Sequence, residues 1–497
     1  MSETPEHPET PEAPPPAETP DAQTSRIGVD SWVAESEARR SRTPAALLSR
    51  GAARTPDPLK LLVFVAFAVS LPFWTSSGDL FIFGTLTLIS AALALGLNVV
   101  VGFAGLLDLG YVAYAGVGAY TYASLSSPRW HLHWPALATI PIAMAAAGLV
   151  GLLLGISSRR LLGDYYAIVT LFFAQAFASF TNVTNPGDIT GGPNGLPNVD
   201  PITFFGHKLA SYNQQYYLIL AIVVILAGAT YLANMSRTGR AWRAQRDDPL
   251  AAQAMSIPVN RVKILAAVMG AAIAGLCGTI FAATYTAAVS TDYSVPFLIL
   301  IYATVILGGI GSIAGVLLGA AIINCTLQFL APQNDHPEVK RWLFYGTIIL
   351  LVAMLKPVWR SLLVLVATIG FGFAVHALAV AYASHKWTSG VPSSGGSWIA
   401  HWAIIPNTDS FTGLNHGNFN NIVYIGLVVM VVITASLKGW WRMLALVPTL
   451  YLTVLAWENL LAASGGITAY LLFGVMLIAL MAKRPQGLFG EARVEIV

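Results

Sequence analysis

Charge is what this chain has least of: Asp, Glu, Lys and Arg make up 10% of its 497 residues, while 56% are hydrophobic. A soluble domain carries about 25% charged residues because its surface must be wetted, so a water-soluble globular protein of this size is excluded. Cysteine is scarce too. Cys277 and Cys325 lie in separate apolar runs without metal-ligand spacing, which excludes a disulfide framework and a thiolate metal site and leaves them as small packing residues. The chain has no GxxxxGK[ST] phosphate loop, no HExxH, and no nucleophile and base at a recognisable spacing. It is therefore not expected to be an enzyme, to hydrolyse ATP itself or to hold a metal or cofactor of its own. A basic region followed by a short apolar core does not open the chain, so no secretory signal is expected.

What the chain has instead is apolar length. Stretches long enough to cross a bilayer, or nearly so, fall at 60–75, 80–101, 103–125, 135–156, 165–182, 216–233, 262–285, 297–311, 313–330 and 343–355, then at 362–383, 422–437, 444–461 and 470–482. The fold class expected is all-α, a polytopic integral membrane protein with about ten core segments and about four further C-terminal ones. The net charge of +3 says little, but its distribution over the loops sets direction, because Lys and Arg stay on the cytoplasmic side. Counting alternately from an inside start puts Arg159, Arg160, Lys356, Arg360, Lys438, Arg442, Lys483 and Arg484 inside. The loops 183–215 and 384–421, with one lysine apiece, fall outside. Both termini are then cytoplasmic. Residues 1–21 are rich in Pro, Glu and Thr and residues 26–54 in Arg, Ser and Ala; neither half can bury enough apolar surface to fold, so 1–57 is expected to be a disordered cytoplasmic tail. Its basic half either touches anionic headgroups or simply holds the terminus inside.

One polar stretch, GRAWRAQRDDPLAAQAM at 239–255, separates two spanning segments. Asp248 followed by Pro249 has the signature of an N-cap and a first helical residue, since the carboxylate accepts from orphan N–H groups and proline needs none. A short helix over about 249–255 is predicted. Upstream, Arg237, Arg240 and Arg243 recur every third residue and form a cationic stripe on a helix, with Arg246 just beyond. Positive-inside charge accounts for the arginines alone; it does not account for a capped, alanine-rich short helix, which reads as a segment built to be gripped by a partner outside the membrane.

Glycine is concentrated inside membrane segments, at 96, 102, 105, 110, 116 and 118 and again at 308, 309, 311, 315 and 319. Such runs either let helices pack closely or break them beside a substrate path, and composition does not choose between the two.

These features fall into ordered blocks: GLNVVVGFAGLLDLGYVAYAGVGAYTYA at 96–123, GDYYAIVTLFFAQ at 163–175, ITGGPNGL at 189–196, GRAWRAQRDDPLAAQAMSI at 239–257, GGIGSIAGVLLGA at 308–320 and RPQGLFG at 484–490. In that order they resemble the M-type (LivM-like) permease subunits of branched-chain amino-acid ABC importers, over roughly residues 60–357 and the last dozen. The resemblance implies a permease core at 58–357, a cytoplasmic tail at 485–497, and residence in a bacterial or archaeal cytoplasmic membrane. It implies as partners an H-type permease, two ATPase subunits carrying ATP and magnesium, an extracytoplasmic binding protein and membrane lipid, and no nucleic acid. The short helix would be the ATPase-coupling helix, with Arg243, Arg246, Asp247, Asp248, Pro249, Leu250, Ala251 and Met255 as its residues, the aspartates orienting it and Leu250 and Met255 gripping.

The chain departs from the family pattern at candidate path positions. Asp108 and Tyr111 stand where a small polar residue and a histidine are common, Gln175 where glutamate is common, and Ser256 where glycine follows the coupling helix. An ionisable group at membrane depth is a functional-site hypothesis by default, but Asp108 is equally a carboxylate at a loop edge near the cytoplasmic interface. Asn98 and Gln175 either face a cavity or bond helix to helix. Thr190, Gly191, Gly192 and Asn194 either gate entry or receive the binding protein, or form a tight turn. Competing functions are a permease for urea, amides or another small polar solute; an ion-coupled carrier using Asp108 or Glu458; and a structural membrane subunit.

The C-terminal third lies outside the resemblance. Tyr345-Gly346 followed by Pro357 and Phe473-Gly474 followed by Pro485 share one spacing, with a basic residue before each proline. Either a common membrane-protein ending is met twice by coincidence, or a terminal helix is present twice, so that 358–484 is an addition of accessory helices and an outer loop; we read it as the second.

Overall fold

Hydrocarbon offers a backbone no hydrogen-bonding partner, so a chain this apolar is helical almost throughout. The computed structural model describes residues 57–489 except 128–131, 158–162, 184–188, 205–206, 210, 331–336, 354–357, 383–386, 389–397, 406–415, 462–473 and 475–486. The expected N-terminal tail, the far C-terminal tail, most of the 470–482 segment and the second copy of the terminal motif at Pro485 therefore lie outside the described residues.

The core helices are α1 (Asp57–Ser70), α2 (Ser77–Phe103), α3 (Tyr111–Leu125), α4 (Ala136–Ser157), α5 (Gly163–Asn182), α6 (Tyr212–Met235), α7 (Arg237–Asp247), α8 (Pro249–Ala254), α9 (Val259–Tyr285), α10 (Val295–Gly308), α11 (Ile313–Leu330) and α12 (Pro337–Ala353). Then come α13 (Val358–Tyr382), α14 (His416–Ser436) and α15 (Trp440–Ala456), the last running into a wide π-type turn at Trp457–Leu461. Among the described residues five helices are long and apolar enough to span a membrane, namely α2, α4, α6, α9 and the Trp359–Tyr382 part of α13, and shorter apolar helices accompany them. Two-residue strand pairs, Leu196–Pro197 with Ala287–Ala288 and Thr203–Phe204 with His207–Lys208, are the β-structure among the described residues.

Helix α9 lies against α2, α3 and α4, and small residues let it approach. A methyl on Gly278 would strike the Ala115 carbonyl of α3, and one on Gly151 of α4 would lie 2.5 Å from the Ala271 methyl. α10 and α11 form a hairpin that closes in the same way at Gly308 and Gly315. Close packing through small residues is how membrane helices gain contact without a hydrophobic driving force.

The expected span at 103–125 is corrected: the helix begins at Tyr111, and 104–110 is irregular backbone. Gly105, at φ +70°, lies in a region that L-residues avoid, and the ladder ends there. The freed backbone groups are met by side chains. Gln245 donates to the Ala104 carbonyl at 3.3 Å, Thr170 accepts from the Leu109 N–H at 2.9 Å, and Tyr302 donates to the Asp108 carbonyl at 2.6 Å. A second break at 309–312 separates α10 from α11, with Gly309 at φ +115° and Gly311 at φ +89°.

A second cluster of buried side chains joins the C-terminal helices to the core, with Trp402, Tyr451 and Trp457 packed with Ala303 and Leu307 of α10 and Ile323 of α11. Trp457 stacks on Phe344 at 4.1 Å, and Tyr345 donates to the fully buried Glu458 at 2.9 Å. Beyond them the chain returns: Leu488 and Phe489 donate their N–H groups to the carbonyls of Leu307 and Gly308 at 2.9 and 3.0 Å.

Candidate functional site

The polar loop folds as a helix, a corner and a short helix. Asp248, extended at φ −150°, accepts from the N–H groups of Leu250 (2.8 Å) and Ala251 (3.0 Å), and Pro249 is the first helical residue of α8. Asp247 is the last residue of α7, so the cap belongs to Asp248. Ala252 packs inward, whereas Leu250 and Met255 are 76% and 79% exposed. Leu250 on α8 and Met255 at its C-cap are thus two large apolar side chains exposed in an otherwise polar loop. Ser256 follows at φ +61°, a left-handed helix end where glycine is the unstrained residue.

Arg237, Arg240 and Arg243 form the exposed stripe expected of them. Arg240 and Arg243 turn back to donate to the carbonyls of Met235 and Asn234, at 3.2 and 3.4 Å, so they complete the C-terminal end of α6. Arg246 differs. It is partly buried, faces the membrane core, and donates to the Gly102 carbonyl at the end of α2.

Asn98 and Asp108 lie on the two sides of that break. Asn98 opens a π-type turn in α2, and its Oδ1 accepts from the Gly311 N–H at 2.8 Å, tying the first break to the second. Asp108 lies in the irregular 104–110 segment and is fully buried there. Its Oδ1 accepts from the Gly110 N–H at 2.9 Å and its Oδ2 from the Tyr166 hydroxyl at 3.2 Å.

Gln175 is on the exposed stripe of α5, together with Tyr165, Ile168, Phe172 and Phe180. Thr170 meets the first break, while Thr181 bonds Ser290 at 2.6 Å at the opposite end of the bundle. At 1.5 Å per residue Gln175 lies about 7–9 Å from each, near mid-depth.

That opposite end holds the ITGGPNGL block. Gly191, Gly192 and Gly195 all have positive φ, Thr190 is buried with its hydroxyl on the Gly192 N–H at 3.4 Å, and Asn194 is exposed. Asp200 gathers neighbouring loops there: its carbonyl accepts from Tyr122, its N–H donates to Ser126, and its carboxylate meets His133 at 2.6 Å. Burial raises the Asp292 carboxyl above its ordinary value in the turn beside it. The block has the geometry of a tight turn; the structure does not bring it together with Asn98, Asp108 or the polar loop at 239–257.

Residues 80–353, more than half the chain, match the family described as branched-chain amino acid transport system, permease component. The chain belongs to this family. It is 33% identical to the high-affinity branched-chain amino acid transport system permease protein LivM of Escherichia coli over 322 residues, 60% of this chain and 73% of that protein. It is 26% identical to the probable branched-chain amino acid transport permease protein LivH of Methanocaldococcus jannaschii over 297 residues, 59% of this chain and 85% of that one. No solved structure gives a significant match. The chain is thus a multi-pass membrane permease.

Two residues that anchor the polar loop were not picked out from the sequence. Trp242 is fully buried and donates to the Val262 carbonyl of α9 at 3.0 Å, and Gln245 is 2% exposed. The signal was present as period: Gly239, Trp242 and Gln245 fall on one face, opposite Arg237, Arg240 and Arg243.

Proposed function

We propose that this permease is the M-type membrane subunit of an ATP-driven importer of branched-chain or related small amino acids. It pairs with an H-type permease, two ATPase subunits and an extracytoplasmic binding protein. The observation that carries the reading is α8, a capped helix with Leu250 and Met255 exposed beside a cationic stripe. An ion-coupled carrier has no use for such a surface. The relatives' names supply the substrate class: each is a branched-chain amino acid transport permease. Loop charge supports cytoplasmic termini, with α8 on the cytoplasmic side and the ITGGPNGL block on the outer side.

In this mechanism ATP-driven closure of the ATPases moves α7 and α8, and that motion opens the membrane path. Gln175 supports α5 as a wall of the path, because a primary amide at mid-depth is costly against lipid and is accommodated against water or a partner helix. The tie between Gly487 to Phe489 and α10, beyond the end of the family match, supports reading 358–484 as an addition to the core.

The test is co-purification. The permease expressed with its partners retains both ATPases, and Leu250→Glu with Met255→Glu loses them while still inserting. Full retention of the ATPases by the double variant refutes α8 as the docking element.

A further inference from the structure

The end of α7 touches both membrane breaks at once. The guanidinium of Arg246 bonds the Gly102 carbonyl, and a methyl built on Gly311 would lie 3.3 Å from its Nη1. The backbone at Gly105 is equally close: a methyl there would lie 2.6 Å from Arg246 Cγ and 3.3 Å from its Cα. Gln245 holds the Ala104 carbonyl, and Asn98 joins the first break to the second through the Gly311 N–H. Two residues further along the chain, Asp248 caps the docking helix. Arg246 therefore stands between the surface that meets a partner and the part of the membrane core that lacks a regular hydrogen-bond ladder.

We infer that Arg246, assisted by Gln245, is a strut that transmits movement of α8 into the two broken segments, rather than a residue of the ATPase contact. The inference rests on the importer reading given above. α7 is suited to the role because Trp242 pins it to α9, so that a displacement at Asp248 turns the helix about a buried anchor. The receiving elements are suited too. Gly105, Gly309 and Gly311 all have positive φ, and such positions absorb backbone rotation that a regular helix resists. From the first break the contacts run on to the side of α5 opposite Gln175, through Leu109 with Thr170 and Asp108 with Tyr166, and to α10 through Tyr302. The motion so reaches both helices that flank the break.

The experiment uses the full complex, permease with partner permease and ATPases, in proteoliposomes supplied with binding protein, leucine and ATP. ATPase retention, ATP hydrolysis and leucine uptake are measured for Arg246→Ala, Arg246→Lys and Gly105→Ala. The last keeps the arginine but sets a methyl against its side chain and strains the backbone at φ +70°, so it disturbs the same junction without removing the charge. For Arg246→Ala and Gly105→Ala, ATPase retention and hydrolysis are expected within about twofold of wild type while leucine moved per ATP falls roughly tenfold. Arg246→Lys, which keeps the charge but lacks the fork, recovers part of the ratio. An unchanged ratio in Arg246→Ala and Gly105→Ala overturns the strut. So does loss of the ATPases from Arg246→Ala to the extent seen for Leu250→Glu with Met255→Glu, which would make Arg246 a docking residue. A wild-type complex that retains no ATPase would instead remove the importer reading itself.

Discussion

Replacing Asp248 with alanine isolates the cap of the docking helix. α8 has six residues, far too few to be stable by itself, so its order depends on the cap, on Ala252 packed inward and on its junction with α7. The substitution removes both side-chain bonds to the Leu250 and Ala251 N–H groups. Loss of an N-cap costs about 0.5–2 kcal/mol, and a tenfold change in an equilibrium corresponds to about 1.4 kcal/mol. The population of ordered α8, and with it the affinity for the ATPase, should fall by about two- to thirtyfold. Asp248→Asn keeps an acceptor and should cost only a small part of that, whereas Asp247→Ala, one residue before the cap, should be near neutral. Binding of purified ATPase to the permease in nanodiscs, followed by biolayer interferometry, measures all three. Equal losses for Asp247→Ala and Asp248→Ala, or none for Asp248→Ala, would refute the cap as the feature that orders the docking surface.

Further outcomes follow from the same geometry. Ser256→Gly relieves a left-handed residue at φ +61°, and the strain released, about 1 kcal/mol, should tighten ATPase binding several-fold in the same assay. Asn194→Cys, on a background with Cys277 and Cys325 replaced by alanine, should react with an impermeant maleimide in intact cells. Arg243→Cys should react only after permeabilisation, and the reverse pattern would invert the topology.

Features set by local sequence were legible without a structure. The Asp248 cap and Pro249 start are decided within a few residues, and apolar length placed nearly every core helix. Where tertiary contact decides, the sequence was ambiguous. Gly102, Gly105 and Gly110 each offer a place to end a helix, and only the partners of the freed backbone, Gln245, Thr170 and Tyr302, show that 104–110 is the break. Arg246 continues the three-residue arginine spacing, yet each such step falls about 60° short of a full helical turn, so from Arg237 to Arg246 the side chain swings by about 180°. That rotation takes it from the exposed stripe to the Gly102 carbonyl. Asp108 shows the same limit: its burial among Tyr166 and Tyr302 depends on helices remote in sequence.

The central claim is that this permease moves amino acids by coupling to ATPases through α8. Its most direct measurement is radiolabelled leucine uptake by proteoliposomes that contain the permease, its partner permease and the ATPases, with binding protein outside and ATP sealed inside. Uptake should require hydrolysable ATP, persist when ionophores collapse sodium and proton gradients, and be lost in Leu250→Glu with Met255→Glu. Uptake without ATP, driven by an imposed ion gradient and insensitive to those two substitutions, would contradict the account.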